Sequence, residues 1–462
     1  MSKELAWLPD LIYANNSFLP GMGLSADAAG NILQLSALAS KDTQRLRDRA
    51  LLPGLVNAHS HAFQRVIRGR TEHRTKNRKD SFWTWREMMY SAANRLSPED
   101  IYDASRMAFL EMALSGITSV GEFHYLHHDP YGYPYQGTNL LASQVIQAAL
   151  DVGLRIVLLR VAYARAGFRQ EANPLQRRFI EADPEVYLRH TEHLKAELAG
   201  SLKAHVGLAP HSVRAVPVDY LKQIIEFALQ QRLVVHMHVA EQPAEVSACI
   251  DEHGKPPIVL LHSEGLLSEQ FTAVHAIHIT TPEITALART LAKVCACPTT
   301  ERNLGDGIVP AADFLAAGVG IALGSDSQVQ IDLLEDARQL EYHLRLQRLE
   351  RAVLTQNDED QLALARRLFK SATVFGGESL GIKTGELEPG RPADFFTVRL
   401  NDPSLAGAFE KDLLPAIVFS LNRAAISEVF VGGEMIVSEG RHKDQDEIVT
   451  KFEALQKRLW SH

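Results

Sequence analysis

Eight short apolar runs punctuate the middle of the chain, at 55–61, 117–125, 154–163, 204–211, 233–241, 273–279, 293–300 and 320–327. Most are uniformly apolar rather than alternating, the pattern of strands covered on both faces. The stretches between them carry helix signals. Ser97-Pro98-Glu99 places a capping serine before a proline at the first helical position, Val216-Pro217 opens a second helix, and Thr281-Pro282-Glu283 repeats the first chemistry. Eight strand–helix units in a row predict an α/β fold of the (β/α)8 TIM-barrel type, with an open doubly wound sheet as the alternative. The flanks read differently, with strand-like pieces at 11–14, 31–35, 394–400 and 429–438, the last broken by a Gly432-Gly433 turn. They predict a small β-sandwich built from both termini: residues 1–52, then the barrel over 53–384, then 385–462 with a terminal helix.

Composition narrows the classes of function. The 462 residues exceed one ordinary domain and suit a barrel of about 250 residues with additions. A content of 46% hydrophobic and 23% charged residues excludes a disordered chain. No run approaches the ~18 apolar residues of a membrane helix, and the start, MSKELAWLPDLIYANN, lacks the basic stretch and apolar core of a secretory signal. Neither membrane nor nucleic acid is expected as a partner, since a net charge of −8 opposes a phosphate backbone. Cys249, Cys295 and Cys297 form no disulfide framework, which points to a reducing cytoplasm.

Polar residues gather at the C-terminal ends of the predicted strands, where barrel active sites lie. The first strand ends in His59-Ser60-His61, and alternation puts both imidazoles on one face. The fifth carries His236, His238 and Glu241, the sixth His275 and His278, and the eighth ends in Asp326. Two His from one strand, a third His and an Asp make an N3O set suited to Zn²⁺ or Fe²⁺. Taken singly, a His-x-His is a common coincidence and Asp326 reads equally well as a helix cap, but one barrel brings all these strand ends to the same rim. His236 reads as barrel interior and His278 as structural, and at least two of His124, His127 and His128 read as loop residues without chemistry. Cys295 and Cys297 flank one residue of the seventh strand and read as packing.

These motifs resemble a known family. Leu52-Pro-Gly-Leu-Val-Asn-Ala-His59-Ser-His61 is similar to the segment that opens the barrel of the amidohydrolase superfamily. Gly324-Ser-Asp326-Ser is similar to the eighth-strand aspartate of its aminohydrolase branch, and Gly385-Glu-Leu-Glu-Pro-Gly-Arg-Pro-Ala-Asp394 to its return segment. The segments His59-Ser-His-Ala-Phe-Gln64-Arg, Asp80-Ser-Phe-Trp-Thr-Trp-Arg86, Glu122-Phe-His-Tyr125-Leu-His-His-Asp and Thr300-Glu-Arg-Asn-Leu-Gly-Asp-Gly307 resemble the formimidoylglutamate deiminase family within it. One departure stands at Gln328, where that family leads one to expect His; lying beyond the ligand, it bears on substrate tuning rather than metal binding.

The resemblance implies that His59, His61, His238 and Asp326 hold one divalent metal, zinc in first place and ferrous iron second. The fourth strand ends Leu208-Ala-Pro-His211 without the lysine that bridges two metals in binuclear members. It further implies that His275 and Asp326 activate a water, and that Glu241 contacts the formimino nitrogen and shuttles its proton. Arg86 and Arg214 would bind the carboxylates of N-formimino-L-glutamate, with Gln64, Tyr125 and His211 adding hydrogen bonds, and the assembly would be a homodimer. Without the resemblance, Glu241 reads as a helix-start residue favoured by the dipole, and Arg86 as a solvated end to an aromatic segment whose Trp83 and Trp85 are packing. Two other functions fit the same residues less well. A deaminase of a ring amidine such as guanine would use the same metal, yet a neutral ring needs no pair of guanidinium groups; a scaffold on a decayed barrel would not retain every ligand and proton carrier.

Overall fold

The computed structural model describes residues 4–37, 43–74, 81–170, 173–356 and 358–461; Asp80 of the segment noted above lies outside them. Eight parallel strands follow in chain order: β1 (Leu55–Ser60), β2 (Ile117–His124), β3 (Arg155–Ala162), β4 (Ala204–Pro210), β5 (Val235–Val239), β6 (Phe271–His275), β7 (Lys293–Ala296) and β8 (Ile321–Leu323). Sequential order with helical crossovers is the barrel topology, and β1, β2, β3, β5 and β6 are buried along their whole length. The helix start at Ser97 forms as expected, Ser97 and Asp100 making a reciprocal capping box with Pro98 in the first turn, whereas the helix expected to be capped by Thr281 is capped one residue earlier, Thr280 making the box with Glu283.

The sheet closes at the site itself. Ser60 and Asp326 form a parallel bridge, the Asp326 N–H donating to the His59 carbonyl at 3.0 Å and the His61 N–H to the Asp326 carbonyl at 3.0 Å. Such contact requires Gly324, because a Cβ there would lie 2.7 Å from the His59 Cβ. The sequence runs overshoot most strand ends, β6 ending at His275 instead of 279 and β7 at Ala296 instead of 300. At or just past the ends of β5, β6 and β8 the backbone turns left-handed at the rim, with φ of +52° at Ala240, +70° at His275, +49° at Ala276 and +48° at Asp326, whereas β7 ends where Cys297 caps the helix Pro298–Leu304. These conformations end the ladders and turn the chemistry-bearing side chains over the barrel mouth.

The termini pair into one nine-stranded sheet among the described residues. Its seam is Gln44–Pro53, parallel to Leu5–Ala14 and antiparallel to Phe395–Arg399. Trp7 packs edge-on against Phe395 and Phe430, ring centroids 5.1 and 5.5 Å away, at the centre of a core separate from the barrel's. The Gly432-Gly433 turn joins Ile426–Val431 to Glu434–Ser438 with φ of +59° and +75°. A buried ion pair ties this sheet to the barrel: Arg155 Nε and Nη2 on β3 donate to Asp394 at 3.0 and 3.1 Å, and the Gly432 N–H donates to the same carboxylate at 2.7 Å. Asp394→Ala leaves a guanidinium and an amide uncompensated, and is expected to lower unfolding free energy by about 3–5 kcal/mol in chemical denaturation. No described helix is long and apolar enough to cross a membrane.

Candidate active site

Four donor atoms converge above the closing bridge. His59 Nε2 lies 3.2 Å from His61 Nε2 and 3.2 Å from His238 Nε2, while Asp326 Oδ1 lies 3.3 Å from His61 Nε2 and 3.6 Å from His59 Nε2. Donors about 2.0–2.1 Å from one tetrahedral ion stand about 3.3–3.4 Å apart, so the spacing fits a single divalent cation. Hydrogen bonds alone do not account for it, because three crowded imidazole nitrogens cannot all donate to one another. Two of the rings are oriented from behind, His61 Nδ1 bonding the Phe123 carbonyl at 2.9 Å and His238 Nδ1 the His211 carbonyl at 3.2 Å. Each proton thereby sits on Nδ1 and each lone pair on Nε2. Burial pushes His59 down to about 3 and lowers His61 and His238, so the rings are neutral, as metal ligation needs. Burial works to raise the Asp326 carboxyl, but the contact with His59 and the positive charge that His275 can carry hold it below the usual carboxylate range.

The wall beside the donors holds two proton carriers. His275 Nε2 stands 3.7 Å from Glu241 Oε1 and 3.8 Å from Asp326 Oδ2. Burial pushes the Glu241 carboxyl up to about 7, with Asp326 and Glu245 repelling its charge and His275 attracting it. Burial opposes a charge on His275, while Glu241, Glu301 and Asp326 around it raise the ring's affinity for a proton, which suits a group that takes one from water.

Across the cavity the residues are basic and aromatic. The helix Phe82–Ala93, capped by Ser81 and Thr84, presents Arg86 with its guanidinium carbon 4.4 Å from the Trp83 ring and 5.5 Å from the Tyr90 ring. Arg86 Nη1 is buried with no hydrogen-bond partner among the described residues. Arg214 lines the same cavity and donates from Nη1 to the Ala166 carbonyl at 3.2 Å. Gln64 Nε2 donates to the Tyr125 hydroxyl at 2.9 Å, leaving Gln64 Oε1 buried and unpartnered. His211 bonds Ser212 Oγ at 3.2 Å and shares the cavity wall with Tyr125. All residues expected at the site therefore border one cavity or its donor cluster.

Several expectations take a more specific form. Trp83 is 37% exposed and packs on Arg86 and Phe82, so it belongs to the surface of this helix and not to the core. His236 bonds the Ser379 carbonyl at 2.8 Å and His278 the Asp306 carbonyl at 2.8 Å, both away from the donors. His127 and His128 bond the Val161 and Ile180 carbonyls, whereas His124 ends β2 as a buried strand residue and not a loop residue. Gln328 is fully buried behind the donors, its amide donating to Ser60 Oγ at 2.8 Å and the Asp326 carbonyl at 2.9 Å and accepting from Ser325 Oγ at 3.0 Å. Ser60 in turn donates to Glu122 at 2.5 Å, and Glu122 also takes the Ala62 N–H at 2.7 Å. This lattice fixes the His59–His61 segment against β8.

Reading the sequence missed Tyr90, Tyr163 and Gln176. The two hydroxyls stand 3.4 Å apart beside the arginines, and Gln176 Nε2 donates to both, at 3.0 and 2.8 Å. The signals were present: Tyr90 lies four residues after Arg86 on one helix face, and Tyr163 directly follows the end of β3.

Comparison with known proteins agrees with this layout. The profile of the amidohydrolase family matches residues 50–436. The chain is 38% identical over 447 residues to formimidoylglutamate deiminase of Pseudomonas aeruginosa, covering 96% of this chain and 97% of that one. It is 27% identical to 5-methylthioadenosine/S-adenosylhomocysteine deaminase of Natronomonas pharaonis over 93% of this chain and 91% of that one. The crystal structure of an amidohydrolase from Brucella melitensis superposes with a TM-score of 0.91 at 35% identity, covering 98% and 99% of the two chains.

Proposed function

From the premise that the chain belongs to the amidohydrolase family and is a hydrolase of C–N bonds, we infer that it deiminates N-formimino-L-glutamate to N-formyl-L-glutamate and ammonia. The similarity to the Pseudomonas deiminase supports the reaction. The observation that carries the substrate is the pair Arg86 and Arg214 beside the cavity, with Arg86 Nη1 buried and unpartnered. A buried donor without an acceptor is costly, and a carboxylate of the glutamate part satisfies it with a charge-assisted hydrogen bond. Arg86 and Arg214 also supply the local positive charge that an anionic substrate needs on a chain of net charge −8.

His59, His61, His238 and Asp326 would hold the cation, and the N3O set supports zinc, with ferrous iron as the alternative that metal analysis separates. When bound, it supplies Lewis-acid activation that makes water a nucleophile near neutral pH. The remaining work falls to side chains. His275 Nε2 and Asp326 take the proton released as water adds to the formimino carbon. Glu241, hydrogen-bonded to the formimino nitrogen, delivers protons to it, and the tetrahedral hydroxyl loses its proton as the C–N bond breaks, so that both protons of the water end on the departing ammonia and its oxygen on the formyl carbon. Gln64 Oε1, the Tyr125 hydroxyl and His211 remain to orient the substrate. A cytoplasmic homodimer completes the proposal, the free, buried thiols supporting the compartment and the family resemblance the assembly.

Ammonia release from formiminoglutamate, set against guanine, tests the reading; turnover of guanine instead would transfer the site to the ring-amidine alternative. Arg86→Ala is expected to raise KM for formiminoglutamate by about 10- to 100-fold, the worth of one charged hydrogen bond. An unchanged KM would remove Arg86 from substrate binding.

A further inference from the structure

A carboxylate outside the expected site touches its proton carrier. Glu301 lies in the first turn of the helix Pro298–Leu304, which starts just after β7, and is 1% exposed. Its Oε1 lies 3.2 Å from His275 Nδ1 and also accepts the Cys297 backbone N–H at 2.8 Å. The Asp306 N–H closes the end of the same helix on the Glu301 carbonyl at 2.9 Å, so the residue is held from both sides. On the opposite edge of the His275 ring, Nε2 faces Glu241 and Asp326. His275 itself sits at φ +70°, a conformation that a non-glycine residue keeps only where its surroundings enforce it.

We propose that Glu301 is a positioning residue for His275: by accepting the Nδ1 proton it fixes the ring's orientation and tautomer, leaving Nε2 free to take the proton of the attacking water. The proposal rests on the role given to His275 above and extends it to a residue that touches neither substrate nor cation donors. Burying a carboxylate in a barrel core is costly, and here that group has two N–H donors on one oxygen, one from the backbone and one from the ring. His275, Cys297 and Glu301 also bring potential ligand atoms within 4.8 Å of one another. With Oε1 already accepting two hydrogen bonds, orientation of the ring is the function this geometry serves.

The shared oxygen makes a discriminating variant. In Glu301→Gln the Cys297 N–H still requires an acceptor at that position, so the amide oxygen, not its NH2, faces His275 and the Nδ1 proton keeps its partner. In Glu301→Ala it does not. A hydrogen-bonded imidazole N–H resonance, identified in histidine-labelled protein by its loss in His275→Ala, is expected to persist in Glu301→Gln and vanish in Glu301→Ala. On formiminoglutamate, Glu301→Ala is expected to lose about 10²-fold in kcat with KM and bound metal near parental values, and Glu301→Gln to keep at least about a tenth of kcat. Survival of the resonance in Glu301→Ala would overturn the proposal, as would a kcat within threefold of the parent. So would a folded, metal-loaded Glu301→Gln as inactive as the alanine variant. If the parent released no ammonia from formiminoglutamate, the substrate reading would fall, and the resonance comparison would still decide the role of Glu301. If the alanine variant does not fold, the glutamine variant decides by keeping or losing the resonance.

Discussion

Asp326→Asn is expected to lower kcat/KM for formiminoglutamate by about 10⁴-fold or more, with a matching loss of bound divalent metal. The residue holds three positions at once. Its carboxylate supplies the oxygen of the donor set, its second oxygen faces His275 at 3.8 Å, and its backbone closes the barrel against His59 and His61. Asparagine keeps the size and tolerates the left-handed φ of +48°, so the bridge and the fold should persist. What it removes is the anion: a neutral amide binds a divalent cation more weakly than a carboxylate and cannot accept a proton from water. Circular dichroism should overlay the parent and denaturation should overlay the metal-stripped parent, while metal analysis and ammonia release should not match the parent. A variant with full metal and a rate within tenfold of the parent would sink the assignment of Asp326 to the metal.

Glu241→Gln is expected to cost about 10³-fold in kcat, with metal content and KM changed far less. The carboxyl stands 3.7 Å from His275 Nε2 and is raised to about 7, poised to hold and release a proton near neutrality. Glutamine retains a hydrogen-bond acceptor for the formimino N–H but cannot deliver a proton to the departing nitrogen. The loss should therefore fall on kcat and reflect the leaving step. Equal losses in kcat and metal would instead make Glu241 a support for the donor set, while an active variant would leave protonation of the nitrogen to another group.

The sequence carried the order of strands and helices, the capped helix start at Ser97 and, to within one residue, that at Thr280, and the histidine and carboxylate positions at the strand ends. Those features are local: burial on both faces writes an apolar run, a cap writes its own short motif, and alternation aligns His59 with His61. It also carried both arginines, but only by resemblance, since Arg86 in an aromatic segment has no local mark of a substrate contact. What it did not determine was pairing between distant segments. Which carboxylate bonds His275 Nδ1, which hydroxyls stand beside Arg86 and Arg214, and how Gln328 and Glu122 brace Ser60 depend on closure of the barrel. The ends of β5, β6 and β8 fall short of their apolar runs for the same reason, because the left-handed residues at the rim are imposed by the closing contacts and the site, against their local preference. Periodicity specifies what each segment becomes; only tertiary packing chooses the partner that each polar group meets.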